Sequence, residues 1–169
     1  MVRRMIWIAG ALLGGCSGAE VSHDFDPSQD FAKFKTWTWA PEKAQTVHEV
    51  SRVSTLNHER IRHAIEMELT AKKFQPADPE AADLCVKYHA AVGRRIEADG
   101  SDNDEWYTGD LRAYEEGTLV IDVIRNSDHR LIWRGAARRE LDFDLTPQQR
   151  EEQIRQVVHE ILADFPPKK

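Results

Sequence analysis

Two apolar segments separated by a short polar turn constrain the fold of this chain more than any other feature. They span residues 118–124 and 131–137, and the turn between them contains Asn126-Ser127-Asp128. Strands joined this closely pair as an antiparallel hairpin, because a parallel connection needs a much longer crossover. A third segment, 84–92, alternates apolar and polar residues with the period of a strand that buries one face. The sequence therefore predicts a largely antiparallel sheet.

Two other segments carry apolar residues at the three-and-four spacing of an amphipathic helix. The first is predicted to begin at Asn57, as the N-cap, and to end near Lys73. The second begins at Thr146, with Pro147 in the first helical position and Gln149 completing a capping box. The predicted inward face of the first helix comprises Ile61, Ala64, Ile65, Glu68 and Leu69, with Leu56 and Phe74 at its ends, and that of the second comprises Ile154, Val157, Val158, Ile161, Leu162 and Phe165.

Two more strands are predicted near the N-terminus, at residues 20–25 and 31–39. The resulting order is strand, strand, helix, strand, strand, strand, helix. This order predicts an α+β fold, in which a mostly antiparallel sheet of about five strands packs two amphipathic helices on one face. Trp37, Trp39 and Trp133 lie within the predicted strands, and we interpret them as core residues and not as a binding platform.

Residues 94–117 are polar and interrupted by glycine, and they are interpreted as a long surface loop. Three aromatic residues, Trp106, Tyr107 and Tyr114, lie among its charges. Long loops without regular structure are often functional, so these three aromatic residues are the candidate binding residues.

The first residues of the chain have the pattern of an export signal. Arg3 and Arg4 precede a short apolar run, which is too short to span a bilayer and ends in Leu13-Gly14-Gly15-Cys16. This ending resembles the bacterial lipobox, in which the cysteine becomes an acylated N-terminus. The sequence predicts a lipoprotein signal peptide at 1–15, a lipidated tether at 16–20 and a single α+β domain at 21–167. An ordinary secreted protein with a coincidental cysteine is the alternative.

Acylation of Cys16 has consequences for location and for partners. Four residues separate Cys16 from Val21, so at ~3.5 Å per residue the domain stays within ~20 Å of the bilayer. Ser17 after the cysteine favours the periplasmic face of the outer membrane, by the same resemblance. The whole chain has a formal charge of −6, and removing two arginines with the leader makes it −8. Such an acidic protein is not expected to bind nucleic acid.

Few residue clusters indicate catalysis. His23, Asp24 and Asp26 form the best acid–base group in the sequence, but it lies beside the tether, where solvated polar residues are expected. Asp122 interrupts an apolar strand, where a buried carboxylate would need a partner such as Arg134 on the other strand of the hairpin. We interpret Asp122 instead as solvent-facing on the open side of the sheet, where it shares a face with Arg134. No metal site is expected, because His58 and His63 fall on different faces of the first helix. No cofactor is expected either.

Cys85 is left without an intramolecular partner if Cys16 is acylated, and we interpret it as a small buried hydrophobic residue. Its segment, Asp83-Leu84-Cys85-Val86, is one of six that together carry a family resemblance. The set comprises Phe31 to Trp39, Arg60 to Ile65, Asp83 to Tyr88, Gly117 to Asp122, Leu131 to Gly135 and Ala163 to Pro167. Together these segments resemble bacterial lipoproteins of the domain-of-unknown-function family 4136.

The resemblance implies a cell-envelope lipoprotein and supplies no catalytic residues. We therefore expect a non-enzymatic module, anchored through Cys16, that docks on an envelope protein or a cell-wall component. Two alternatives stay open at this point. One is a hydrolase that uses His23, Asp24 or Asp122, and the other is a carrier that encloses a small hydrophobic ligand between helices and sheet.

Overall fold

A computed structural model describes residues 19–41, 53–98 and 111–168. These parts of the chain form one six-stranded mixed sheet, two α-helices and a 3-10 helix at Phe31–Lys33. The elements are β1 (Glu20–Phe25), β2 (Thr36–Trp39), α1 (Thr55–Ala71), β3 (Gln75–Pro76), β4 (Leu84–Ala98), β5 (Leu111–Arg125), β6 (Arg130–Glu140) and α2 (Pro147–Leu162).

The sheet has the strand order β1-β6-β5-β4-β2-β3. The pairs β1–β6, β5–β6 and β4–β5 are antiparallel, whereas β2 runs parallel to both β4 and β3. The predicted α+β class and the predominance of antiparallel pairs are confirmed. The additional strand is β3, a two-residue segment just after α1 that pairs with β2 at the sheet edge.

The prediction of a surface loop at 94–117 is wrong at both ends, because residues 94–98 and 111–117 belong to strands. β4 continues to Ala98 and β5 begins at Leu111, and the two strands pair over their full length. The reason is that a β-ladder is held by backbone hydrogen bonds, so a polar segment can extend a hairpin that apolar residues have started. A cross-strand pair between Arg95 Nε and Glu116 Oε1, at 3.1 Å, replaces apolar contacts there.

The two helices differ in how well their starts were predicted. α2 has the predicted cap: Thr146 Oγ1 accepts from Gln149 N at 3.3 Å, and Gln149 Oε1 accepts from Thr146 N at 2.9 Å. The N-cap of α1 is Ser54, whose hydroxyl accepts from Asn57 N at 3.3 Å, and not Asn57 as predicted. Ser and Asn cap helices equally well, so the pattern alone did not decide between them.

The second predicted strand is also shorter than 31–39. Phe31–Lys33 forms a 3-10 turn that places Phe31 in the core, edge-on to Phe165 with ring centroids 6.1 Å apart. Only Thr36–Trp39 is extended. Burying the Phe31 ring against Phe165 favours the 3-10 turn over a longer β2.

Both helices pack on the same face of the sheet, as predicted. Tyr88 of β4 donates its hydroxyl to the His58 carbonyl of α1 at 3.2 Å. On β6, a Cβ built on Gly135 would lie 2.6 Å from Ile161 of α2 and 2.4 Å from the Trp133 ring. α2 can therefore approach β6 this closely only because residue 135 has no side chain.

The predicted core is largely confirmed. Trp37 and Trp133 are buried, and Trp39 is half-buried beneath the Arg62 guanidinium, which lies 4.3 Å from its ring centroid. The predicted stripes of both helices contribute to one cluster with Phe74. Leu56 is an exception, because it is 62% exposed at the first turn of α1.

Asp83 ties the segment before β2 to the start of β4, and its replacement gives a pH-dependent prediction. Its carboxylate accepts hydrogen bonds from Lys35 N at 2.8 Å and Thr36 N at 3.0 Å. These bonds hold the pKa of Asp83 below its ordinary value of 3.8. Because the folded pKa is lowered, the stabilisation is present above pH 3.8 and is lost as the pH falls through the folded pKa.

We expect Asp83→Asn to lower the free energy of unfolding by about 1–2 kcal/mol at pH 7, since an amide oxygen replaces a charged acceptor of two backbone bonds. The difference from the wild type should shrink as the pH falls below 3.8. Urea unfolding at pH 7 and at pH 3 measures it. A difference that is the same at both pH values would contradict this role.

Candidate functional site

An apolar cleft of about 150 Å³ opens between the two helices and one end of the sheet. The inner faces of the three central strands form its floor, with Ala90, Leu119 and Ala137. Ile61 of α1 and Ile154 of α2 form two of its walls. Alanine at the floor leaves space that a larger side chain would fill, so the packing of helices on the sheet is open here.

Two arginines line the cleft. Arg139 lies two residues after Ala137 on β6, so its side chain emerges on the same inner face. Its Nη1 is buried and has no hydrogen-bond partner among the residues that the structure describes. Arg150, in the first turn of α2, donates Nη2 to the carbonyl oxygens of Phe143 at 3.1 Å and Leu145 at 3.4 Å.

The other polar residues of the cleft are uncharged. They are Asn57, Thr118 and Gln153. The described residues that line the cleft include no Asp, Glu, His, Cys, Lys or Tyr. This lining offers apolar contact and a guanidinium whose buried Nη1 has no partner among the described residues, and it does not offer the acid–base pair that proton transfer uses.

The cleft lies beside the point where the chain enters the fold. Glu20, the first residue of β1, pairs with Arg138 of β6, which adjoins the cleft residues Ala137 and Arg139. Ala19 packs against the core. Cys16, the predicted lipidation site, precedes Ala19 by three positions and lies outside the described residues.

The predicted aromatic binding residues have different outcomes. Trp106 and Tyr107 lie outside the described residues. Tyr114 is described, and it is on β5 and not on a loop as predicted. It is half-buried, with the Arg112 guanidinium 5.7 Å from its ring centroid. A binding role for these three residues stays a prediction.

The predicted acid–base group does not converge. His23 faces the helix side, where its Nδ1 lies 3.6 Å from Asp164 Oδ2. Asp24 points to the other side and accepts from the backbone N–H of Phe25 at 2.9 Å. Asp26 belongs to the following turn, where hydrogen bonds from the Ser28 hydroxyl and backbone lower its pKa.

Asp122 is buried, and the prediction that it faces solvent is wrong. It does lie on the open side of the sheet with Arg134, as predicted, but its side chain is 0% exposed. Arg134 binds both carboxylate oxygens, at 2.6 and 2.9 Å, and Lys87 Nζ lies 3.5 Å away. The two long cationic side chains cover the carboxylate on the face of the sheet opposite α1 and α2. Hydrogen bonding to Asp122 raises the pKa of Arg134.

Cys85 is free and 7% exposed, which confirms its interpretation as a buried residue. Burial raises the pKa of its thiol, so it is a weak nucleophile. Within the described ranges, no three His, Cys, Asp or Glu side chains are grouped as a metal site would require. The same ranges contain no helix of the length and hydropathy needed to cross a bilayer.

The sequence left a ligand-enclosing space between helices and sheet open as an alternative, but it did not identify the residues that line the cleft or its arginines. The available signal was a small residue at inward positions of the two strands that flank β5, Ala90 on β4 and Ala137 on β6, with an inward-facing Arg139 two residues further along β6. That signal has meaning only when the strand pairing is known. Alanines and arginines are common on strands and are not informative singly.

Solved structures share this fold. A PDZ-domain protein from Parabacteroides distasonis aligns with a TM-score of 0.57 and 17% identity, over 89% of this chain and 36% of its own. The PelC dodecamer from Paraburkholderia phytofirmans aligns at 0.53 and 10%, over 90% of this chain and 100% of its own. A DUF4136 family protein from Bacteroides thetaiotaomicron aligns at 0.52 and 15%, over 88% and 96%. These identities establish a common fold only.

The first of these neighbours is much longer, and this chain spans about a third of its length. Comparison with functionally curated proteins finds no match. The sequence profile of the family described as Domain of unknown function (DUF4136) matches residues 21–167, which is well over half of the 169 residues. The chain therefore belongs to the DUF4136 family.

Proposed function

We propose that this protein is a membrane-anchored, non-enzymatic binding module of the bacterial cell envelope, and that the cleft between its helices and sheet is the binding site. The main support for this proposal is the composition of the cleft. It combines an apolar body with Arg139, whose buried Nη1 has no partner among the described residues. A pocket of this composition recognises an apolar group that carries an acceptor or a negative charge.

The position of the N-terminus supports a binding site close to the membrane. If Cys16 is acylated, three residue steps of at most ~10 Å separate the lipid from Ala19. β1 then begins opposite Arg138, next to the cleft. The cleft end of the domain would face the bilayer, on the periplasmic side of the outer membrane.

The anchor is tested by the mass of the mature N-terminal peptide. We expect a peptide that begins at Cys16 and carries acyl chains, and a protein that fractionates with membranes. Cys16→Ala should abolish both, because the thioether has no attachment point. Cys85→Ala is the matched control, since Cys85 is buried within the domain and should not affect acylation. A mature protein with an unmodified Cys16 would contradict the proposed lipid anchor.

The cleft is tested by photo-crosslinking in intact cells. A photoreactive amino acid is placed at Phe143, which is 59% exposed at the cleft, and at Met67, which is 56% exposed on α1 and does not line it. We expect a discrete envelope component at position 143, absent at 67, and lost when Ala90→Leu fills the floor. Equal products at both positions, or insensitivity to Ala90→Leu, would contradict binding in the cleft.

A further inference from the structure

We propose that the cleft binds a single-chain fatty acid, with its tail in the apolar body and its carboxylate on the Arg139 guanidinium. This inference rests on the proposed binding function and names the class of its ligand. Three features support it: the volume of the cleft, the Arg139 Nη1 that has no partner among the described residues, and the position of β1 beside the cleft.

The size of the cleft limits the ligand to one chain. An apolar cavity of ~150 Å³ accommodates a molecule about the size of benzene. The cleft of about 150 Å³ therefore holds a segment of roughly six carbons, and its open mouth lets the remainder of a longer chain extend outward. The two chains of a diacyl lipid do not fit side by side. The lining by Leu119, Ile154 and Val157 provides aliphatic contacts for such a segment.

Arg139 determines the charge of the ligand. A guanidinium N–H that is buried beside apolar walls without a partner is unfavourable, and a carboxylate satisfies it with a charge-assisted bond. Arg150, which also lines the cleft, already donates its Nη2 to two backbone carbonyls, whereas Arg139 Nη1 has no partner among the described residues. We therefore assign the anion to Arg139. The chain as a whole is acidic, at −6, so the attraction for an anion is local to this site.

The same charge argues against the protein's own lipid as the occupant. Ester- and amide-linked acyl chains on Cys16 have no charge and would leave the Arg139 guanidinium unpaired. The tether contributes in another way, because it holds the cleft end of β1 and β6 near the bilayer, where fatty acids partition. We therefore assign the occupant to a free fatty acid taken up from the membrane.

The test is photolabelling with a diazirine analogue of dodecanoate, with the acylated protein reconstituted in phosphatidylcholine nanodiscs. Label should map to peptides that line the cleft, between Leu141 and Val157. The matching diazirine dodecanol, which lacks the charge, should label about tenfold less, which is the effect of one charged hydrogen bond. Equal labelling by acid and alcohol would overturn the role of the carboxylate.

Two arginine variants make the assignment specific. Arg139→Gln should reduce labelling by dodecanoate about tenfold, and Arg139→Lys should retain part of it because the charge remains. Arg138→Gln is the matched control, because it makes the same charge change one residue earlier, on the opposite face of β6, and should label like the wild type. Far-ultraviolet circular dichroism confirms that each variant is folded. Equal effects of Arg138→Gln and Arg139→Gln would overturn the proposal.

The remaining outcomes separate this inference from the proposed function. If dodecanoate does not label the cleft but the crosslinker at Phe143 still captures an envelope component, the fatty acid is wrong and the binding function stands. If neither gives a cleft-specific product, both are wrong. If dodecanoate labels the cleft only in Cys16→Ala, the protein's own acyl chain is the occupant, and the assignment to a free fatty acid is overturned.

Discussion

Replacing Asp122 by alanine is expected to lower the free energy of unfolding by about 3 kcal/mol at pH 7. The carboxylate is 0% exposed and holds Arg134 through two hydrogen bonds, with Lys87 3.5 Å away. Removing it leaves two cations facing each other across the strands without their shared anion. The loss lies at the lower end of the range for a broken buried pair, because Arg134 is 50% exposed and can regain water.

Urea unfolding, followed by tryptophan fluorescence, measures this effect. Asp24→Ala is the matched control, because Asp24 also lies opposite Arg134 in the strand register. Unlike Asp122, Asp24 is exposed, and the hydrogen bond described for its side chain comes from Phe25 N within β1. We expect that control to change stability by less than about 0.5 kcal/mol. The double variant Asp122→Leu with Arg134→Leu should recover part of the loss, since an apolar pair replaces the ion pair. A single Asp122→Ala effect no larger than that of Asp24→Ala would show that the pair contributes nothing.

Asp122 also matters for the cleft, although it lies on the other face of the sheet. It pairs with Lys87 of β4 and Arg134 of β6, so one carboxylate joins all three central strands. A shift of one residue between these strands would turn inward-facing side chains outward. The ion pair therefore holds the register that places Ala90 and Ala137 at the floor of the cleft.

Replacing Phe165 by alanine is expected to lower the free energy of unfolding by about 3–5 kcal/mol. Phe165 follows α2 and is 1% exposed. Its ring stacks on Phe74 at 5.3 Å between centroids, and it also contacts Trp133 at 5.1 Å and Phe31 at 6.1 Å. It thus joins the end of α1, β6 and the turn before β2, and its removal leaves a cavity bordered by rigid rings that cannot close it.

Phe143→Ala is the control for this prediction, because it deletes the same atoms from a side chain that is 59% exposed. We expect it to reduce stability by less than about 1 kcal/mol. Thermal unfolding of the two variants gives the comparison. Similar losses for Phe143→Ala and Phe165→Ala would mean that the C-terminal segment does not form part of the core.

Local sequence patterns were enough to predict the elements that are held by contacts between residues close in the sequence. The hairpin of β5 and β6 follows from two apolar strands and a short turn, and α2 follows from Thr146, Pro147 and Gln149, whose capping contacts lie within one turn. The buried faces of both helices were predicted because apolar spacing reflects which side meets the sheet. The family resemblance was predicted as well, and the profile match confirms it.

The tertiary structure decided features that depend on partners distant in the sequence. β4 and β5 extend into polar residues because each provides the backbone hydrogen bonds of the other. Asp122 is buried because Lys87 and Arg134 meet over it from neighbouring strands. The cleft exists because two helices and three strands leave a space above small side chains that are far apart in the chain. The burial of a charged side chain, its ion pairs across strands and the shape of a cavity depend on several segments together, so no local pattern encodes them.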